Sequence, residues 1–167
     1  MELMRERAPV PAITAAGGER DKGPGSFRVC LISIGGDLFA IDLRHVREVF
    51  ELESVTPVPG LPDVLIGVAN LRGTVMPLAD LRTSLGLSQE GGQGYAVVIK
   101  QGTQQVGLVI DGVPEIRMIQ SADLVNAESR GLAETRPFVS GLVSIDGRMG
   151  GVVDVAKLVA TVDRMAM

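Results

Sequence analysis

The sequence is short of the residues that most catalytic and metal chemistries draw on. Among its 167 residues there is one cysteine, Cys30, one histidine, His45, and no tryptophan. One cysteine excludes an internal disulfide and a cysteine-based metal cluster, and it fits a reducing compartment, with the cytoplasm as default. One histidine excludes a histidine-based zinc site and a two-histidine proton relay, and it leaves a Cys–His nucleophile without support. Cys30 alternates with Arg28 and Ile32, which suits a small buried hydrophobe in a strand, and His45 reads as a surface or half-buried residue of a short turn. The glycine clusters GGERDKGPG and GGQG form neither phosphate-binding motif and read as linker and loop. No run approaches the roughly 18 apolar residues that span a bilayer. Charge is nearly balanced, with 16 Lys and Arg against 20 Asp and Glu for a net −4, and aromatics make up only 3%. Both features speak against a nucleic-acid binder.

What is present is apolar residues, 46% of the chain, enough for one globular domain with a real core. Residues 1 to about 25 are rich in charge, proline and glycine without a continuous apolar segment, and read as a flexible tail and not a signal peptide. A domain over residues 26–167 follows. FRVCLISIGGDLFAIDL is expected to turn at Gly35-Gly36, YAVVIKQGTQQVGLVID at Gln101-Gly102 and FVSGLVSIDGRMGGVVD at Asp146-Gly147, each between Val-, Ile- and Leu-rich strands. With the further runs VFELE and VLIGVANL, these hairpins predict a mainly β domain of one or two small barrels.

Apolar runs end repeatedly in aspartate, at Asp42, Asp80, Asp111 and Asp154. Aspartate suits the start of a helical turn, where its carboxylate accepts free N–H groups. Asp80 is expected to open a short helix closed by Gly86. Asp154 should open a longer one in which Leu158, Val162 and Met165 share a face. After Asp111-Gly112 the chain should bend into a strand, VPEIRMI, and residues 121–137 read as a long connecting loop. The echoes hint at duplicated β units.

Two charged groups stand out. Arg72 lies in the apolar run GVANLRGTVMPLADL, where a guanidinium calls for a partner or access to water. Read as a strand residue, it shares parity with Asn70 and Thr74. Glu48, bracketed by Val46 and Val49, is the acid expected to face it, as a bidentate pair across neighbouring strands, with the arginine head also open to a partner. Glu51 and Glu53 are expected on one solvated, edge-protecting face of a strand and not as a catalytic pair.

Five blocks in order, FAIDLxxVxEV (39–49), PxPGLP (57–62), GVANLRGxVMPLADLR (67–82), VGLVIDGV (106–113) and GxxxxxGRMGGVVDVAKL (141–158), resemble the CheW family over residues 27 to about 163. The resemblance implies two interlocked small SH3-like β-barrels of about five strands each, with short helices and a C-terminal helix. It implies no catalysis and no cofactor. It implies a cytoplasmic adaptor, recruited to membrane-associated receptor arrays, that couples the cytoplasmic tip of chemoreceptors to the regulatory domain of a CheA-type histidine kinase. The receptor's helical hairpin would lie in an apolar groove between the barrels. Carried over by position, Val46, Glu48, Gly67, Asn70, Arg72 and Gly73 are coupling candidates. Val109, Asp111 and Val113 belong to the second barrel, facing either core or groove. Gly67 and Gly73 also read as strand bends. A small-ligand barrel or enzyme is the competing class. A CheW-like module in pilus motility, development or second-messenger output keeps the fold and changes the wiring.

Overall fold

The computed structural model describes residues 25–87, 94–126 and 137–166. The expected tail before Gly25 and residues 127–136 of the expected 121–137 loop lie outside them. The described strands, in chain order, are β1 (Ser26–Ile34), β2 (Asp37–Asp42), β3 (Val46–Glu51), β4 (Leu65–Leu71), β5 (Thr74–Ala79), β6 (Tyr95–Gln101), β7 (Gln104–Ile110), β8 (Glu115–Gln120), β9 (Leu124–Asn126), β10 (Val139–Ile145) and β11 (Arg148–Val153). Helix α1 (Val155–Ala166) follows, and short 3-10 turns lie at Leu43–His45 and Ser121–Asp123.

Two sheets result, ordered β9-β10-β11-β2-β1-β8 and β3-β6-β7-β5-β4. Each curls into a small barrel. In the first, β8 pairs with β1, turns a corner through Ser121–Asp123 and continues as β9, which pairs with β10. The two legs act as one bent strand, so six strand segments do the work of the five expected. In the second, the chain beyond β3 reaches β4 through the Thr56–Val68 bridge, with N–H···O distances of 2.9 and 3.0 Å.

The sheets share one plan. Each carries a hairpin (β10–β11 or β4–β5) whose second strand runs parallel to the second strand of another hairpin (β1–β2 or β6–β7), with β8 or β3 on the far side. In this correspondence Asp42 at the end of β2 matches Asp111 after β7, and Asp80 after β5 matches Asp154 after β11. The hinted duplication is therefore a duplication of topology. The first barrel is made from both ends of the chain and the second from its middle, so the two interlock.

The hairpins at Gly35-Gly36 and Asp146-Gly147 stand where expected, and Gln101 closes β6 with the turn falling on Gly102 and Thr103. A fourth, joining β4 to β5 through Arg72-Gly73, was hidden inside the apolar run that reads as one strand. The bend after Asp111 into β8 is as expected. The expected loop 121–137 is corrected at its start, where Ser121–Asp123 and β9 are ordered pieces of the first barrel. The expected Asp80 helix is corrected too. Residues 82–86 form irregular turns, closed by Leu85 N–H to Leu81 O and Leu87 N–H to Arg82 O, and Gly86 ends them at φ 69°.

The largest apolar cluster lies between the barrels and not inside either. Alternation divides β1, with Cys30, Ile32 and Ile34 facing the second barrel and Val29 and Leu31 filling the first. It divides β6 the same way, with Val97 and Ile99 on the shared core and Ala96 and Val98 inside the second barrel. Helix α1 leaves the first barrel and packs on β5, β6 and β7 of the second, placing Leu158, Val159 and Val162 in the shared core. Asp154 caps it, accepting from Lys157 N–H at 3.0 Å.

Candidate functional site

Arg72 does not sit in a strand. With φ 57° at Arg72 and 81° at Gly73, the pair forms the two central residues of a tight hairpin between Leu71 and Thr74, so the parity expected with Asn70 and Thr74 does not apply. Both φ values are positive, as a type I′ turn requires, and such turns favour Asn or Asp followed by Gly. An arginine there is strained by about 1 kcal/mol. The turn lifts the side chain to the surface, 69% exposed, where Nε donates to Glu48 Oε1 at 2.8 Å and the guanidinium lies 5.5 Å from the Phe50 ring centroid.

The pairing of Glu48 with Arg72 is as the sequence suggested, but its form is different. β3 and β4 are opposite edges of their sheet, so the contact crosses the seam where the barrel closes instead of joining neighbouring strands. It is a single exposed contact through Nε and not a bidentate clasp, and ion pairs of this kind contribute about 0–1 kcal/mol. Asn70 and Val75 face each other across β4 and β5 on the same exposed surface, and Val75 is 64% exposed. Gly67 is buried under this face at φ 148°, and a Cβ there would stand 2.2 Å from Thr56 O. It is a position only glycine can occupy, at the bulge where β4 shifts register against β5.

The remaining candidates separate. Val46 and Val109 are buried in the core, Val109 fully. Val113, in the link between the barrels, is 61% exposed. Asp111 is half-buried and turned inward. Its Oδ1 and Oδ2 accept from the backbone N–H groups of Gly35 and Gly36 at 3.1 and 3.0 Å, capping the β1–β2 turn of the other barrel. Its own N–H donates to Ser33 O at 2.8 Å.

The same carboxylate meets an arginine that the sequence reading did not single out. Arg82 is 1% exposed. It donates from Nη2 to Asp111 Oδ1 at 2.6 Å and from Nη1 to Asp80 Oδ2 at 3.1 Å. Its N–H also reaches Asp80 Oδ1 at 3.0 Å. The cost of burying a charge, which the sequence reading raised for Arg72, applies instead to Arg82. Burial alone would raise the pKa of Asp111. The Arg82 guanidinium and the Gly36 and Gly35 N–H groups outweigh it and hold the carboxyl below the usual range.

The reactive side chains are otherwise quiet. Cys30 is fully buried, and burial pushes its thiol up to about 12. His45 holds its Nδ1 3.2 Å from Lys100 O. Glu51 and Glu53 are exposed, but β3 ends at Glu51, so they do not share a strand face. Among the described residues no group of three or more His, Cys, Asp or Glu is placed to hold a metal, and no helix is long and apolar enough to cross a membrane.

The model of the CheW-like domain matches residues 28–163, which take in both barrels and most of α1. The chain belongs to the CheW-like domain family. It is 29% identical to the chemotaxis protein CheW of Klebsiella aerogenes over 82% of this chain and 83% of that one. Against CheW of Rhizobium meliloti it is 28% identical, with 85% and 93% covered. It is also 29% identical to FrzA of Myxococcus xanthus, with 79% and 85% covered. The crystal structure of the scaffolding protein TtCheW from Thermoanaerobacter tengcongensis is similar at TM-score 0.69 and 25% identity, covering 80% of this chain and 87% of that one. The described residues thus share the CheW-like fold of two sheets and a C-terminal helix.

Proposed function

We propose that this CheW-like protein is a non-catalytic adaptor that couples chemoreceptors to a CheA-type histidine kinase and brings kinase activity under receptor control. The observation that carries this reading is the extent of the family match, residues 28–163, which includes both barrels and the junction between them. An adaptor needs separate surfaces for separate partners, and two barrels on one shared core supply them. The hairpin face of the second barrel, with Glu48, Asn70, Arg72 and Val75, is one such surface. Arg72 supports it directly, since a residue strained in a turn and weakly paired is better explained by a contact it makes than by the fold it serves. The link around Val113, exposed at the junction of the barrels, is a second surface, suited to an apolar helical hairpin. Each contact would bury about 1,000–2,000 Å², and many weak contacts in an array hold together by multivalency.

The test is autophosphorylation of the kinase with cognate receptor membranes, with this protein added or omitted. Receptor-dependent activity, or its control by attractant, should appear only when the protein is present. No change on addition, together with no co-sedimentation with either partner, would refute the reading. A second wiring of the same module, in pilus motility, development or second-messenger output, keeps the fold and changes the kinase. A cognate kinase drawn from one of those systems would then be the one that responds.

A further inference from the structure

The shared core that joins the barrels is almost wholly aliphatic, with Ile32, Ile34, Ile41, Val97, Ile99, Val106, Leu108 and Ile110 among its residues. Such contacts hold surfaces together without fixing their angle, because the hydrophobic effect is non-directional. The directional element between the barrels is polar. Asp80 and Arg82 follow β5 of the second barrel, and Asp111 follows its β7, yet Asp111 ends on the β1–β2 turn of the first barrel, with Ser33 Oγ also 3.4 Å from its Oδ2. Asp42, which holds the equivalent place after β2, does nothing of the kind. Its carboxylate turns back on Arg44, accepting from the backbone N–H at 3.0 Å and pairing with Nη2 at 2.7 Å. The duplicated plan is broken at Asp111, which crosses from barrel to barrel.

We propose that the Asp80–Arg82–Asp111 chain is a strut that fixes the orientation of one barrel on the other. Asp111 and Arg82 are positioning residues, and their effect on signalling, which rests on the adaptor reading, is to hold the two partner surfaces at one angle. A displacement imposed on one barrel is then passed to the other instead of being absorbed at the seam. Buried ionic groups can be retained for such specificity even where they add little net stability.

The test compares the full-length protein with Asp80→Asn/Arg82→Met/Asp111→Asn, which removes every charge of the strut. Nitroxide labels on Thr103→Cys in the β6–β7 turn and Met149→Cys on β11 report the distance between the barrels, and both sites are exposed while Cys30 is buried. The unsubstituted strut should give one narrow distance distribution by pulsed electron resonance. The neutral variant should unfold in urea as cooperatively as the parent, yet broaden that distribution at least twofold. Receptor-dependent stimulation of the kinase should fall at least fivefold, with each binary affinity changed less than twofold. A neutral variant that folds and keeps the narrow distribution overturns the proposal. If the neutral variant does not fold, Asp111→Asn alone decides by the same distance criterion, since it keeps Arg82 on Asp80 and an oxygen on the turn. The distance measurement needs no partner, so failure of the kinase assay with the parent protein would refute the adaptor reading and leave the strut standing.

Discussion

Arg72 and Arg82 lie ten positions apart and answer to opposite physics. Arg72 is exposed, so its pair with Glu48 is screened by water and contributes little to stability, whereas Arg82 is buried, with its Asp80 pair out of water and its Asp111 pair half-buried. A double-mutant cycle on Glu48→Ala and Arg72→Ala should therefore give a coupling free energy of no more than about 1 kcal/mol in urea unfolding. A larger value would mean that the seam contact is structural after all. Gly67→Ala tests the opposite extreme. A methyl group against Thr56 O, at a backbone angle that disfavours side chains, should lower stability by about 2 kcal/mol or more. Thermal melts should show it, with loss of the partner surface following from loss of the fold. From the sequence Gly67 reads as a coupling residue or a bend, and its geometry makes the bend sufficient.

At the scale of the element, the turns decide what the sequence discloses. Gly35-Gly36 and Asp146-Gly147 are turn pairs with familiar chemistry, and they are legible without a structure. Arg72-Gly73 is not, because arginine is a poor residue for positive φ and the flanking NL and TVM continue a strand pattern. The same reasoning predicts the outcome of exchange. Arg72→Asn suits the turn and should be about 1 kcal/mol more stable than Arg72→Ala in urea. Both variants should lose receptor control of the kinase to the same degree. Recovery of control by the asparagine variant would show that turn geometry and not the guanidinium is what the partner needs. Helix α1 was legible from the spacing of Leu158 and Val162, and both now lie in the shared core. Leu158→Ala should cost about 2–5 kcal/mol by opening a cavity at the meeting of helix and sheet, measured by denaturation. Arg82 escaped notice for a related reason. Sequence shows that a charge follows an apolar run, but only the fold shows that the turn after β5 points it inward.

For the whole molecule, the strut leaves a signature in acid. The Asp111 carboxyl titrates lower in the folded protein than in the unfolded chain, where an aspartate has a pKa of about 3.9. The stabilisation it confers is therefore complete above about pH 4 and is lost as pH falls through the folded value. Asp111→Asn should be less stable than the parent at neutral pH, and the gap should narrow once pH falls below about 4, toward the lower folded value, as followed by urea midpoints. A gap that stays constant over that range would mean that Asp111 is not held ionised by Arg82. The two-barrel architecture was legible through the hairpins and the order of the family blocks. The sharing of the core was not, since a continuous apolar run shows that a strand is buried on both faces without saying what covers each.

The interlocking of the barrels also sets an order on birth. The second barrel is a continuous stretch, β3 to β7, and has all its strands once Ile110 leaves the ribosome, although its helix comes later. The first barrel begins with β1 and β2 but is finished only by β10 and β11, which end at Val153. At ordinary rates of synthesis that is a wait on the order of ten seconds, during which a hairpin apolar on both faces has one face without its partners. Gly35 and Gly36 can close that hairpin early, but Asp111 can cap it only after the second barrel has been made. The N-terminal hairpin thus waits longest for its partners during translation, and its polar hold from Asp111 comes from the neighbour whose strands are complete first.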